Sequence, residues 1–401
     1  MPKMGLDVNV DNHYTSKIYT NGSSVSGTVV ICPERDMPFQ CVQINLLGTS
    51  HARIDMLPTP KTVEDVFLSL DMPVHDTSYP ANRVFQAGQT YHIPFDFKIP
   101  HALSKDACHG LAESGHIQDL HRRLPPTMGG WEKDDMSPVM TRIEYAVVAR
   151  ILQKRISDVG RPIDARLPIK VLPGFPEDAP LSVTDRDTRY SLLKTKSIRR
   201  ARLSTHKDQA VVSAAQPGAV LLGPSGHQLS EVQSSVTVNF SLSSSSIIHS
   251  MPEINVGQAR VEAITWFSGF PMKTLPELGV ARDTSGTRHE LKYSASVKLS
   301  SCDVEGASWH QETGSQGQGP VAWKATVKVP IQLPTTHNMF LPTFYSCYIA
   351  RTYSLHLPIT LSGTKVNLTV PLQVATQQTD AKASGPLNED LPDFYAALAW
   401  G

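Results

Sequence analysis

Four histidines and a cysteine crowd one short stretch: His101, Cys108, His109, His116 and His121. Imidazole and thiolate are good zinc ligands, so this is the most enzyme-like part of the chain. Its spacing argues against a site. On a helix His109 and His116 share a face, but His121 lies five residues further on and turns away. No HExxH and no CxxC occurs. We therefore expect surface or packing histidines and no metal. Cys108 beside His109 is no thiolate pair either, because sequence neighbours on a helix do not face each other. A Gly-x-Ser-x-Gly elbow is absent; Gly22-Ser-Ser24 and Gly223-Pro-Ser-Gly226 lack its flanks. Gly314-Ser-Gln-Gly-Gln-Gly319 has the glycines of a phosphate loop but no helix after it to hold a pyrophosphate. The expectation is a protein with no catalytic residue and no cofactor.

The basic run is more informative. Lys194, Lys196, Arg199, Arg200 and Arg202 place five cations within nine residues. One reading is a solvated linker. The functional one is contact with an anionic surface: phosphoinositide headgroups, an anionic leaflet or a phosphorylated tail. Each cation near such a membrane contributes roughly 1 kcal/mol, screened by salt. Ser204 follows Arg199-Arg-Ala-Arg-Leu in a basophilic-kinase-like context. Phosphate there would add about −2 charge and weaken the patch. The run has no interleaved aromatics for stacking bases, and the whole chain balances 37 basic against 37 acidic residues. A nucleic-acid partner is not expected.

The elements that must carry these groups read as strands. In Tyr91-His-Ile-Pro-Phe-Asp-Phe-Lys-Ile99 every odd position is apolar and every even one polar or Pro. The same alternation runs through Val236–Leu242, Leu291–Leu299 and Val321–Val329. Successive side chains on a strand point to opposite faces, so each segment buries one face and wets the other. That pattern belongs to antiparallel sheets rather than parallel ones. Pro94 cannot donate to a ladder, so an edge or a bulge is expected there. Ser362-Gly363-Thr364 reads as a hairpin turn. Ala107, Cys108, Leu111, Ile117, Leu120 and Leu124 fit a single helix that stops at Pro125-Pro126.

With 401 residues and 40% apolar content the chain suits two domains with real cores. The expected division is 1–175, a linker at 176–230 holding the basic segment, 231–375, and a mobile tail at 376–401. Five cysteines (Cys32, Cys41, Cys108, Cys302, Cys347) make an odd, sparse set and read as reduced thiols in a cytosolic protein. No signal peptide opens the chain and no run of 18 apolar residues occurs, so any membrane contact is peripheral, at the plasma membrane or endosomes.

Several segments resemble the arrestin-like family in its filamentous-fungal, alpha-arrestin form. They are Ile18-Tyr-Thr-Asn-Gly-Ser-Ser-Val-Ser-Gly-Thr-Val-Val-Ile31, Ile44-Asn-Leu-Leu-Gly48, Phe95-Asp-Phe-Lys-Ile-Pro100, Leu124-Pro-Pro-Thr-Met-Gly129, Asp135-Met-Ser-Pro138, Ile143-Glu-Tyr-Ala-Val-Val-Ala-Arg150 and Leu167-Pro-Ile-Lys-Val-Leu-Pro173. In the second half the resemblance rests on Leu341-Pro-Thr-Phe-Tyr-Ser-Cys-Tyr-Ile-Ala-Arg-Thr-Tyr-Ser-Leu-His356 and Leu368-Thr-Val-Pro-Leu-Gln-Val374. It covers about residues 5–375 and is looser between 175 and 340. It implies an all-β protein of two antiparallel immunoglobulin-like β-sandwich domains, the arrestin fold, with one short helix in the first. It implies a non-enzymatic adaptor that holds cytoplasmic tails of membrane proteins and links them to endocytosis, trafficking or ubiquitination machinery. The Pro-Pro-x-Tyr signal for a ubiquitin ligase is missing: Pro125-Pro126 is followed by Thr127-Met128, and Leu391-Pro-Asp-Phe-Tyr395 misplaces the tyrosine. Two other readings stay open. A retromer-type cargo-sorting subunit shares the fold. A β-sandwich hydrolase would need clustered carboxylates or a metal in a cleft, and no such carboxylate pair is visible in the spacing.

Overall fold

A computed structural model describes residues 5–55, 60–108, 114–153, 163–199, 207–231, 233–244, 251–279, 290–300, 307–312 and 321–378. It is mostly β, with 54% of the described residues in strands arranged as several antiparallel sheets. The strands of the first half are β1 (Gly5–Val10), β2 (Ile18–Tyr19), β3 (Ser24–Cys32), β4 (Met37–Ile54), β5 (Lys61–Met72), β6 (Val84–Phe85), β7 (Tyr91–Lys98), β8 (Thr141–Gln153) and β9 (Ile163–Val171). Those of the second are β10 (Leu193–Arg199), β11 (Lys207–Ala214), β12 (Val220–Leu222), β13 (Ser235–Ser244), β14 (Ile254–Val256), β15 (Arg260–Ser268) and β16 (Glu290–Lys298). They continue with β17 (His310–Glu312), β18 (Val321–Pro330), β19 (Phe344–Tyr345), β20 (Ile349–Leu361), β21 (Thr364–Leu372) and β22 (Val374–Thr376).

Alternation becomes burial in most of these. On β7 Ile93, Phe95 and Phe97 are buried while His92, Pro94, Asp96 and Lys98 are exposed. Val236, Val238 and Phe240 on β13 face Val329, Val327 and Ala325 on β18 in register, and all six are buried. Each such valine or phenylalanine contributes about 1.5–3 kcal/mol through the water-shielded apolar area. β7 ends the order β1-β3-β7, so Pro94 sits on an edge strand as expected. The turn from β20 to β21 has positive φ at Ser362 and Gly363, the pair of left-handed residues that a two-residue hairpin turn needs.

Two large apolar clusters and a small third one of Ile264, Trp266, Met272 and Ala350 hold the molecule. The first joins β1, β3 and β7 to the sheet β2-β9-β8-β4-β5 and also takes in Phe267, Leu341, Phe344 and Ile349 from the second half. The second joins the sheet β10-β11-β13-β18-β17 to β15, β20 and β21, and takes in Met136 from the first half. No helix among the described residues is long and apolar enough to cross a membrane.

The structure departs from expectation in four places. Residues 176–230 are not a plain linker: β10 and β11 pair with each other and then with β13 as full members of a sheet. The sheet captures them because Ile198, Ala210 and Val212 supply a buried face. The tail does not begin at 376, since β22 runs to Thr376 beside β12 and Gln377 N–H bonds Leu222 O at 2.8 Å. The one short helix is there, but among the described residues it covers only α1 (Gly115–His121) rather than the whole span from Ala107 to Leu124; Ser114 caps it, its Oγ accepting from Ile117 N–H. β16 alternates well in sequence, yet its apolar positions are only half-buried and Tyr293 is 42% exposed, because β16 closes its sheet as an edge.

Candidate functional site

The basic run resolves into an edge strand. Lys194 and Lys196 are exposed on β10, opposite Val212 and Ala210 of β11. Paired residues in an antiparallel ladder share a face, so the two lysines stand on the core-facing side, just where the edge leaves the core. Charged residues there discourage pairing with a foreign strand. Arg199 closes β10; Arg200, Arg202 and Ser204 lie outside the described residues.

Among the strands of six or more residues at the ends of the sheet orders, β1 carries the fewest charges. β7 carries Pro94, β5 carries Glu64 and Asp65 and a bulge at Gly48/Thr49 of its neighbour, β16 carries Lys292 and Lys298, and β10 carries Lys194 and Lys196. β1 has a single charge, Asp7, and no Pro or Lys. Asp11 N–H bonds Ser26 O at 2.8 Å, which fixes the ladder phase: odd positions of β1 bond β3, and Leu6, Val8 and Val10 turn their backbone groups outward. Beside the turn leaving β1 opens a groove of about 630 Å³ lined by Tyr14, Trp131, Arg142, Glu144 and Lys170. Lys170 pairs with Glu132 and stands 5.6 Å above the Trp131 ring.

A second group of polar side chains lies at the waist where the halves meet. Arg351 on β20 is fully buried. Its guanidinium donates to Asp135 O at 2.8 Å and to Ser137 Oγ at 2.7 Å. The Asp135 carboxylate in turn accepts from the N–H groups of Gly129 and Ser137. Nearby is a cavity of about 290 Å³ whose lining includes Asp178, Tyr190, Glu277, Tyr345 and Gln373. Burial pushes Glu277 up to about 7. Its Oε1 accepts from Tyr345 O–H, while Oε2, Tyr190 Oη and Gln373 Oε1 have no protein partner. Gln373 Nε2 donates to Asp178, which also takes both terminal nitrogens of Arg123.

Next to this cavity the structure brings together Cys108, His121 and Cys347. Cys108 leaves the turn Lys105–Ala107; His121 is the last residue of α1; Cys347 lies in the bend between β19 and β20. Burial of Ile117 and Leu120 fixes the helix, and Leu103 N–H to Arg122 O at 2.7 Å ties its exit to the end of the preceding segment. Ser346 Oγ bonding Ile349 O at 2.7 Å holds the bend. His121 Nδ1 is 3.7 Å from Cys108 Sγ and 3.8 Å from Cys347 Sγ. Burial alone pushes His121 down to about 4, so its ring is neutral at neutral pH. No disulfide joins the described cysteines.

Of the clustered histidines, the structure uses only His121 here. His101 is exposed, His116 lines the cavity, and His109 and Cys302 lie outside the described residues. Sequence spacing could not have found Cys347, which is 226 residues from His121. Arg351 and Glu277 were also missed; a charged residue inside a strand, as Arg351 is between Ala350 and Thr352, is the one available signal. Comparison with known proteins finds no matching family model and no matching curated protein.

Proposed function

We propose that this chain is a non-enzymatic, arrestin-like adaptor of two β-sandwiches, working in the cytoplasm and linking cytoplasmic tails of membrane proteins to endocytosis, trafficking or ubiquitination machinery. The observation that carries the reading is the edge of β1, which has a single charge and no Pro or Lys. A bound tail extends the β1-β3-β7 sheet by one strand, bonding the outward N–H and C=O of Leu6, the C=O of Val8 and the N–H of Val10; Val8 N–H is held by Asp7 Oδ1 and Val10 O by His13 N–H. Affinity then comes from the main chain, and the aromatic and charged groove beside Trp131 selects side chains. Ligase recruitment, if it occurs, uses something other than Pro-Pro-x-Tyr.

Leu6→Pro tests this. Position 6 faces away from β3, so proline removes an outward donor and leaves the β1–β3 ladder intact. On an array of cytoplasmic-tail peptides the unaltered chain should retain a subset, and L6P should lose at least tenfold in affinity for them, about 1.4 kcal/mol. An array that retains nothing, or equal retention by L6P, refutes the mode. Proximity labelling in living cells should mark plasma-membrane transporters and ligase components; endosomal coat subunits instead would favour the cargo-sorting alternative.

A further inference from the structure

We infer that Cys108, His121 and Cys347 form a zinc site that fastens the first half of the chain to the second. Three soft donors arrive from three separate segments: the turn after Lys105–Ala107, the end of α1, and the β19–β20 bend. Their ligand atoms all lie within 4.8 Å of one another. With Zn–S near 2.3 Å and Zn–N near 2.0–2.1 Å, a tetrahedral ion holds sulfur and nitrogen about 3.5 Å apart and two sulfurs about 3.8 Å apart. The measured sulfur–nitrogen separations, 3.7 and 3.8 Å, are already close to that. Both sulfurs converge on one nitrogen, Nδ1. One metal ion serves all three groups together, and Cys347 Sγ, 4.0 Å from Ala107 O, is held in place from the Cys108 side as well.

The donor set selects the metal. Thiolate and imidazole favour zinc over magnesium or calcium, which want oxygen. On binding, the two thiols release their protons to the buffer, and the imidazole contributes its lone pair unchanged. Three protein ligands leave a fourth position for water. His121 and Cys347 are 4% and 5% exposed, so the ion sits inside the waist rather than on the surface. Metal binding here is independent of tail binding at β1.

The test uses the full chain without a histidine tag, expressed in zinc-containing medium. Mass spectrometry should find about one zinc per chain after dialysis, the stoichiometry of a single site. Cobalt added to zinc-free protein should give a thiolate-to-metal charge-transfer band with the intensity of two thiolates. Cys108→Ser and Cys347→Ser should each lose most of the bound zinc, and His101→Ala should keep all of it. Chelation should lower the melting temperature of the unaltered chain but not of C347S. Unaltered protein that binds neither zinc nor cobalt would overturn the site. So would full zinc in C108S and C347S, or zinc-free protein in which peptide mapping finds a Cys108–Cys347 disulfide. Should a variant fail to fold, the cobalt spectrum of the unaltered chain still decides, since a band of one thiolate or none excludes this ligand set.

Discussion

At the scale of single residues the waist is a place where burial sets protonation. Glu277 gives up its proton near 4.5 when unfolded and near 7 when folded, through burial that outweighs its bond from Tyr345 and the nearby Arg189. Tyr190, its other neighbour, stays neutral because burial raises it. Between those two values the folded state binds more protons. Glu277 therefore leaves stability intact below about pH 4.5, erodes it as pH rises through about 7, and has no further effect above. The full loss is on the order of 3 kcal/mol. His121, held down at about 4 by burial, adds stability as pH rises from about 4 to about 6.5 and offsets part of this loss. Glu277→Gln should therefore raise the urea unfolding free energy at about pH 8 relative to that at about pH 5, compared with the unaltered chain. Glu262, which its bond from His356 holds down at about 2, acts with the opposite sign and only below this window. None of this was legible in the sequence. A buried acid is recognisable only from its surroundings, and those of Glu277 come from segments some 70 to 90 residues away, Tyr345 and Tyr190 among them.

At the scale of elements, β1 and β3 are locked by a close approach. A Cβ on Gly27 would lie 2.0 Å from Asn9 O and 2.8 Å from Phe95 Cζ. Because the first of these is backbone, it cannot swing aside. Gly27→Ala should loosen β1 from β3, raising amide exchange at Leu6–Val10 well above that of β8 and abolishing peptide retention at the same edge. Strands like β7, β13 and β18 were legible because strict alternation survives in them. β1 and β5 were missed: β5 mixes Glu64, Asp65 and Asp71 into its apolar positions, and its bulge against β4 breaks the period. β10 was taken for linker because its charges hide the buried face that Ile198 starts.

At the scale of the whole molecule the net charge is zero, so any attraction to a membrane must be local. Lys194 and Lys196 are exposed where β10 leaves the core, at the start of the five-cation run. Binding to vesicles containing anionic phospholipid should fall steeply between low and physiological salt. Neutralising Lys194, Lys196, Arg199, Arg200 and Arg202 together should abolish it, each contributing roughly 1 kcal/mol. Sedimentation with vesicles measures this; salt-independent sedimentation would rule it out. The order of β-rich halves was legible from patterning, whereas their interlocking was not, since it depends on pairs such as Arg351 and Asp135 that lie 216 residues apart.

That interlocking also sets a timetable for synthesis. Gly174, at the end of the first half, lies against the backbone of Thr376, Gln377 and Gln378, and β12 waits for β22 as its parallel neighbour. The first half can collapse on itself as it emerges from the ribosome. Its seam with the second must stay open until residue 378 has cleared the exit tunnel, and over that interval Leu172, Val220 and Leu222, all fully buried in the finished protein, lack the neighbours that cover them.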